Sequence, residues 1–370
     1  MAVNITGDSH QRAGTKTITT YLYKDKPVFG FDLGHGSFKI MQIEVNGKKP
    51  RVLGYGSASF DPSAIEDGVI VKPEIIAEAT KKMFEKNFHG ELTTRRVALA
   101  LPAYRSFSRS MQLPKLGGDE LRQAVELEAE QYIPMPLKEL YLDYAITAQT
   151  DSTCELFAVG VPRKIVDSYV VLSEVMGMEP ILIETTMASA ARLFSHDSNS
   201  DVTTVIIDFG SLTADIGIYS GTMLVAGTVP AGGLVFTKLI KDKLKVSEAE
   251  AGFIKTKYGL GVSKKQAEIT EAIKPTLQKI VAEIRRMSRY YEERYGSQNN
   301  INQVIILGGG ANMPGLGDFL TEALRMPVRS QNPWTYLDAK GLELPAGPDR
   351  LMYATVAGLS LLKPKEVFSE

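Results

Sequence analysis

Two stretches decide the reading of this chain: Val28-Phe29-Gly30-Phe31-Asp32-Leu33-Gly34-His35-Gly36-Ser37-Phe38-Lys39-Ile40 and Thr204-Val205-Ile206-Ile207-Asp208-Phe209-Gly210-Ser211-Leu212-Thr213-Ala214-Asp215-Ile216. Superposed at a constant offset of 176 residues, Asp32 falls on Asp208, Gly34 on Gly210, Ser37 on Thr213 and Ile40 on Ile216. Each copy is an apolar β-rich run, an Asp-x-Gly turn with small polar residues, and a second apolar run, which predicts strand, tight turn, strand. Glycines let the backbone bend and let a ligand approach closely. Successive N–H groups in such a turn form a concavity for anions. A carboxylate beside a phosphate is repulsive unless a cation lies between them, so each aspartate is best explained by Mg2+ held partly through water. One Asp-x-Gly turn alone is commonplace; the matched pair, each behind a buried strand, carries the weight. Two such hairpins, one per half of a duplicated fold, are expected to grip a polyphosphate from both sides.

A third glycine-rich element follows the apolar run Gln303–Leu307 and reads Gly308-Gly309-Gly310-Ala311-Asn312-Met313-Pro314-Gly315-Leu316. The pattern is strand, bare-backbone loop, helix, with Pro314 expected in the first turn of that helix. Gly308, Gly309 and Gly310 offer a surface on which a flat base or ribose can lie. Third in order behind two phosphate hairpins, the loop points to a nucleotide.

The composition sets limits around this core. A chain of 370 residues is too long for one small domain. Apolar residues make up 44% and charged residues 23%, which excludes wholesale disorder. Lys and Arg number 42 against 43 acidic residues, so no basic footprint for nucleic acid exists. Cys154 is the only cysteine, which rules out an intrachain disulfide and suits a reducing compartment. His10, His35, His89 and His196 are scattered, with no zinc spacing. No apolar run approaches the ~20 residues of a membrane helix. Residues 1–27 lack the apolar centre of a secretory signal and read as a mobile tail or as a partner-binding peptide. Residues 363–370 are short and polar, without an amphipathic helix. Any membrane association is therefore expected to run through a protein partner.

The three glycine elements, in this order, resemble the actin-like ATPase superfamily, as its phosphate-1, phosphate-2 and adenosine motifs respectively. The resemblance implies an α/β, actin-like (ribonuclease H-like) duplicated fold, with ATP and Mg2+ as cofactors. It implies metal contacts, partly through water, for Asp32 and Asp208. It implies nucleotide contacts for Gly34, Gly36, Ser37, Gly210, Ser211, Thr213, Gly232, Gly233, Gly308, Gly309, Gly310 and Asn312. Lys39 stands seven residues after Asp32, where actin-type members place a lysine on the β-phosphate; at a strand end it is also simply a solvated charge. The stretch Leu182–Phe194 resembles the first connecting helix, capped by Thr185 or Thr186, with Met187, Ala190, Ala191 and Phe194 on its apolar face. Glu184 at its start would orient an attacking water, or merely favour the helix N-terminus. With Asp208 it is the catalytic candidate. The stretch Tyr353–Leu362 resembles the second connecting helix, whose small residues permit close packing.

Between the first hairpin and Glu184 the pattern gives a strand Arg96–Leu101, then a helix capped by Asp119 and carrying Leu121, Val125, Leu127 and Ala129. Strands Tyr141–Gln149 and Leu156–Val161 follow, and a helix from about Arg163 to Met176. This makes a small inserted α+β (SHS2-type) module, which actin lacks and which the FtsA cell-division ATPases and the PilM family of type IV pilus assembly proteins have. Residues 128–144, 159–169 and 229–240 resemble the PilM family specifically, while His35 and Gly36 replace the serine-rich turn usual there. The expected layout is a tail over 1–27, a first half over 28–96, 177–201 and 350–362, the module over 97–176, and a second half over 202–349. The second half includes a smaller subdomain at about 233–300. There a long helix with Ile273, Leu277, Ile280, Ile284, Met287 and Tyr291 is expected to build core. Arg285 and Arg286 stand where relatives pack an adenine, or are solvated; Lys255 is a ribose contact on the same terms.

The family resemblance implies a cytoplasmic scaffold of a type IV pilus or related type II secretion platform, at most a slow ATPase, peripheral to the inner membrane. Its partner would be the N-terminal cytoplasmic tail of a PilN-type bitopic membrane protein, in a cleft near the module. Pilus ATPases or platform proteins are further candidates, and self-association stays open. Tyr132, Ile133, Met135 and Pro136 supply either pockets for that tail or plain core. An FtsA-like filament former would need a membrane-binding C-terminus and a sugar kinase would need a catalytic aspartate with a sugar signature; neither is evident.

Overall fold

The run Phe29–Leu33 is buried at every position, as suits a strand inside a sheet covered on both faces. The computed structural model describes residues 2–3, 26–45, 49–296 and 300–363. The described residues form two compact units. One holds those up to Leu193, Trp334–Leu344 and those from Thr355 onward; the other holds Phe194–Pro333 and Pro345–Ala354.

As far as Phe194 the chain runs through β1 (Ala2–Val3), β2 (Phe29–Leu33), β3 (Ser37–Glu44), β4 (Arg51–Ser59), β5 (Ile65–Glu66), β6 (Val69–Ile70), α1 (Pro73–Lys86), β7 (Phe88–Gly90), β8 (Arg96–Leu101), β9 (Phe107–Pro114), α2 (Gly118–Glu130), β10 (Leu140–Gln149), β11 (Thr153–Pro162), α3 (Arg163–Val175), β12 (Glu179–Thr185) and α4 (Thr186–Phe194). The main sheet has the order β1-β12-β8-β2-β3-β4-β7. The inserted module is a separate antiparallel sheet, β10-β11-β9, on which α2 lays Leu121, Val125 and Ala129.

The module departs from its expected outline. Arg96–Leu101, expected inside it, lies between β12 and β2 in the main sheet, and all six of its residues are buried. An uninterrupted apolar run is what a doubly covered strand requires. The module's own strand at that place is β9, where serines, Arg109 and Gln112 interrupt the apolar pattern. Its helix starts at Gly118 with Gly117 as the cap residue, so Asp119 stands in the first turn and not at the cap. Leu127 points outward and is 66% exposed. Residues Trp334–Leu344, expected in the second half, pack on the first unit. There the Val52 N–H donates to the Asp338 carbonyl and the Asp338 N–H to the Pro50 carbonyl, and the Trp334 ring meets Tyr55 edge-on at 4.8 Å. At the chain start, Ala2 and Val3 pair with β12 where a mobile tail was expected. The remainder of that tail, residues 1 and 4–25, and residues 364–370 lie outside the described residues.

The second unit contains β13 (Thr204–Phe209), β14 (Ala214–Ser220), β15 (Thr222–Val229), α5 (Gly233–Leu244), α6 (Glu248–Lys257), α7 (Gln266–Tyr295), β16 (Gln303–Leu307), α8 (Leu316–Leu324) and β17 (Val328–Ser330). Its sheet has the order β15-β14-β13-β16-β17. Helix α7 buries Ile273, Leu277, Ile280, Ile284, Met287 and Tyr291, at the helical spacing read from the sequence.

Back in the first unit, α9 (Ala354–Ser360) crosses α4 with almost no space between backbones. A Cβ at Gly358 would come within 2.0 Å of the Ser189 carbonyl oxygen. The expectation that small residues permit close packing at this helix is therefore realised at one atom pair. Gly358→Val should force α9 away from α4, at an overpacking cost of about 1–3 kcal/mol or more. The expected readout is a fall in melting temperature of several degrees; an unchanged melt would show that the crossing is loose.

Candidate functional site

The two repeats form the hairpins expected of them, and their registers agree: Asp32 lies opposite Lys39, and Asp208 opposite Asp215. Directly opposed residues of an antiparallel pair project from the same face. In the first hairpin this juxtaposes opposite charges. Lys39 and Asp32, both buried, form an ion pair at 3.7 Å. Burial raises the Asp32 pKa, and the Lys39 charge opposes that rise. The turn closes through the Gly34 N–H, which donates to the Ser37 carbonyl at 2.9 Å. The Gly36 carbonyl accepts from the Phe60 N–H.

In the second hairpin the same register juxtaposes two carboxylates. Both Asp208 and Asp215 are buried. Asp215 accepts a bond of 2.7 Å from the Thr228 hydroxyl. Burial pushes its pKa up to about 6, against the Thr228 and Thr213 hydrogen bonds that lower it. Asp215 was not among the residues singled out as functional. The superposition contained the signal, since position 215 is the counterpart of position 39 and its charge is reversed.

Several further elements converge on the second hairpin. The Gly233 N–H donates to the Gly210 carbonyl, the Gly232 N–H to Leu212 and the Leu234 N–H to Ser211. The N-terminus of α5 is thus stitched onto the turn, and its positive dipole end faces that turn. A Cβ at Gly232 would lie 2.4 Å from the backbone of Ser211 and Leu212, so only glycine fits. Lys255, from α6, donates to the Gly233 carbonyl at 2.8 Å and to the Thr237 hydroxyl at 2.9 Å, and burial lowers its pKa. From the other side, a Cβ at Gly308 would lie 2.3 Å from Asp208 Oδ1. Gly310 crowds Phe209 in the same way, at 2.8 Å. The structure therefore brings Asp208, Gly210, Ser211, Thr213, Gly232, Gly233, Lys255, Gly308 and Gly310 together around one turn, with Asp215 added.

Some candidates have other occupations. Gly309–Asn312 is a single 3-10 turn and not a bare loop. Asn312 Nδ2 donates to the Pro348 carbonyl, which ties that turn to the 345–354 segment. Helix α8 starts at Leu316, after a left-handed Gly315, so Pro314 stands outside its first turn. Arg285 donates to the Ala323 carbonyl at the end of α8, and Arg286 pairs with its helix neighbour Glu283. Ile133 is buried in the module core, with Tyr132 and Met135 packed on it.

Glu184 lies within β12 and not at a helix start, and its side chain is fully buried. Arg192 grips both of its oxygens, with Nη2 to Oε2 at 2.7 Å, and the Ser189 hydroxyl donates to Oε1 at 2.7 Å. Burial alone would raise its pKa; the Arg192 and Ser189 contacts reverse that and hold it low. Arg192 also donates to the Gly358 carbonyl. The cap of α4 is Thr185, whose hydroxyl accepts from the Ala188 N–H.

Among the described residues no group of three or more His, Cys, Asp or Glu side chains gathers as a metal cage. Mg2+ does not require one, because it keeps several waters and takes one or two carboxylates together with substrate phosphates. The Asp208–Asp215 pair is a donor set of that kind. Among the described residues no helix is long and apolar enough to cross a membrane.

Comparison with known proteins gives a consistent picture. The family model described as type IV pilus assembly protein PilM matches residues 30–363. The solved PilM-PilN type IV pilus biogenesis complex includes a chain similar to this one, with a TM-score of 0.78 and 21% identity, covering 91% of this chain and 98% of that one. The ethanolamine utilization protein EutJ from Carboxydothermus hydrogenoformans is similar at a TM-score of 0.52 and 17% identity, covering 91% of each chain. MreB5 of Spiroplasma citri, solved bound to AMPPNP, is similar at 0.52 and 13%, covering 90% of this chain and 94% of that one. At these identities the structural likenesses establish the actin-like ATPase fold.

The raised Asp215 pKa has a consequence for stability. The folded chain binds this proton more tightly than the unfolded chain, whose carboxyl keeps its ordinary value of 3.8. The contribution is full below about pH 4 and is lost as pH rises through about 6, a change of about 2–3 kcal/mol. Asp215→Asn removes it. The stability of the variant relative to wild type should therefore grow between pH 4 and pH 7. Denaturant melts across that range provide the check, and a flat difference would remove the titration from Asp215.

Proposed function

The chain belongs to the type IV pilus assembly protein PilM family, and we propose that within it the protein is an ATP-binding scaffold that turns nucleotide over slowly if at all and holds the tail of a PilN-type membrane protein. The observation that carries the nucleotide reading is the crowding of bare backbone around Asp208, from Gly232 and Gly308 together. Such contacts keep side chains away from the turn after Asp208, as close approach of a phosphate to backbone requires. The AMPPNP in the MreB5 structure supports the same reading for this fold.

Within it the residues divide the work. Asp208 and Asp215 would hold Mg2+, which supplies charge neutralisation at the phosphates. In the first unit the corresponding hairpin holds its own Lys39–Asp32 ion pair. The turn Gly210–Thr213 and the start of α5 bind phosphate oxygens, and Gly308–Gly310 borders the nucleoside. Glu184 is poorly placed to accept a proton from water, because both of its oxygens are committed to Arg192.

The PilN partner in the solved complex supports the second half of the proposal. An extended tail would add to an open strand edge of the first unit near the module. Attachment through such a partner would hold the protein at the cytoplasmic face of the membrane, with no membrane helix among its described residues.

Millimolar Mg·ATP should raise the melting temperature, since a ligand at 100 times its Kd adds about 2.7 kcal/mol. Asp208→Asn should abolish most of that shift. Steady-state turnover should fall well below the ~10 s⁻¹ typical of metabolic enzymes. No thermal shift in wild type would refute nucleotide binding, and turnover at metabolic rates would refute the scaffold role.

A further inference from the structure

Among the described residues, strand β12 has β8 on one side and Ala2 and Val3 on the other, opposite Glu184 and Ile183. An open strand edge is a template for any extended chain, and folded proteins cover or interrupt such edges. β12 shows both devices. Pro180 offers no N–H, and the register is irregular between Pro180 and Leu182, so its first half is a poor template. The second half, Ile183 and Glu184, is where the chain's own strand sits. β1 also lies against β10, the outer strand of the module sheet. Two residues of β1 are therefore seated between the edge of the main sheet and the edge of the module.

This seat has the properties of a replaceable contact. β1 makes two register pairs, against five between β2 and β3 and eight between β9 and β11. In sequence 25 residues separate it from β2, which starts at Phe29. A tethered segment competes with a free one through its effective concentration, which can reach the millimolar range when the tether spans the distance. A short strand can thus keep an edge occupied without many contacts.

We propose that Ala2–Val3 occupies the edge of β12 flanked by β10 in cis, as a built-in competitor of the extended tail that docks beside the module. This rests on the reading that an extended tail docks on the first unit. A tail able to pair beyond Ile183 and Glu184 displaces β1, and the fraction of molecules with the edge open sets the apparent affinity. Tail binding and release of β1 are then the same event.

The test uses the full chain and the double substitution Ala2→Pro with Val3→Pro, because proline cannot donate to a ladder and disrupts pairing. The probe is a synthetic peptide of the cytoplasmic N-terminal residues of the PilN protein of the same organism. The double variant should melt as wild type does and bind the peptide roughly threefold to tenfold more tightly, the factor expected when the edge is open a third to a tenth of the time. Without peptide, the backbone amides of residues 181–185 should exchange hydrogen faster in the variant, and added peptide should protect them in both chains. Equal peptide affinity in the two chains would overturn the competition. Peptide binding that leaves those amides unprotected would place the tail elsewhere and overturn the site. If the peptide binds neither chain, the partner reading fails. The cis pairing is then judged by exchange alone: faster exchange in the variant supports it, and unchanged exchange overturns it.

Discussion

The second unit is organised by how closely bare backbone approaches Asp208. No side chain can stand at position 308 without entering the space of its carboxylate, and none at 232 without entering the turn that follows it. These exclusions fix the course of the chain after β16 and at the start of α5, and each brings main-chain N–H groups to the same turn. Steric emptiness here is a positive design feature, because anions are bound by backbone donors that side chains would cover. Lys255 completes the arrangement from within, holding the Gly233 carbonyl and the Thr237 hydroxyl so that the first turn of α5 keeps its place.

The internal repeat preserves geometry and inverts electrostatics. The same register faces Asp32 with a lysine and Asp208 with a second aspartate. A buried opposite-charge pair satisfies itself, and its worth lies more in fixing a geometry than in net stability. In the second hairpin burial raises the Asp215 pKa, against the hydrogen bonds from Thr228 and Thr213 that lower it. One hairpin thus sets a cation opposite its aspartate, while the other sets a second carboxylate there. Duplication supplied two equal frames, and a single position in each gave them different chemistry.

The legibility of this structure in its sequence follows from the range of the interactions involved. Both hairpins and the core face of α7 were legible, because Asp-x-Gly turns and helical spacing are local signals. The convergence of Gly232, Gly233 and Gly308 on one turn was legible only through resemblance, since no local rule brings residues so distant together. Arg96–Leu101 was assigned to the module because an apolar strand does not announce which sheet it joins; the burial of all six residues decides that. Asp119 and Pro314 satisfied the usual rules for helix starts, yet Gly117 and Gly315 took the cap positions. Glu184 was misplaced by one element: the strand continues through Thr185, and the partner that gives the glutamate its role, Arg192, lies two turns along the next helix.

That last displacement bears on how the first unit is coupled internally. Glu184 joins two sets of contacts. Its backbone lies at the edge where Ala2 pairs, and its side chain receives the Arg192 fork and the Ser189 hydroxyl. Arg192 reaches on to the Gly358 carbonyl, and a Cβ at Gly358 would strike the Ser189 carbonyl. An extended segment on the β12 edge thus fixes the backbone of the residue whose carboxylate holds α4 and α9 in register. Removing one member of a buried charge pair costs about 3–5 kcal/mol because the other is left uncompensated, so the join of β12 to α4 and α9 rests on both ends of this fork.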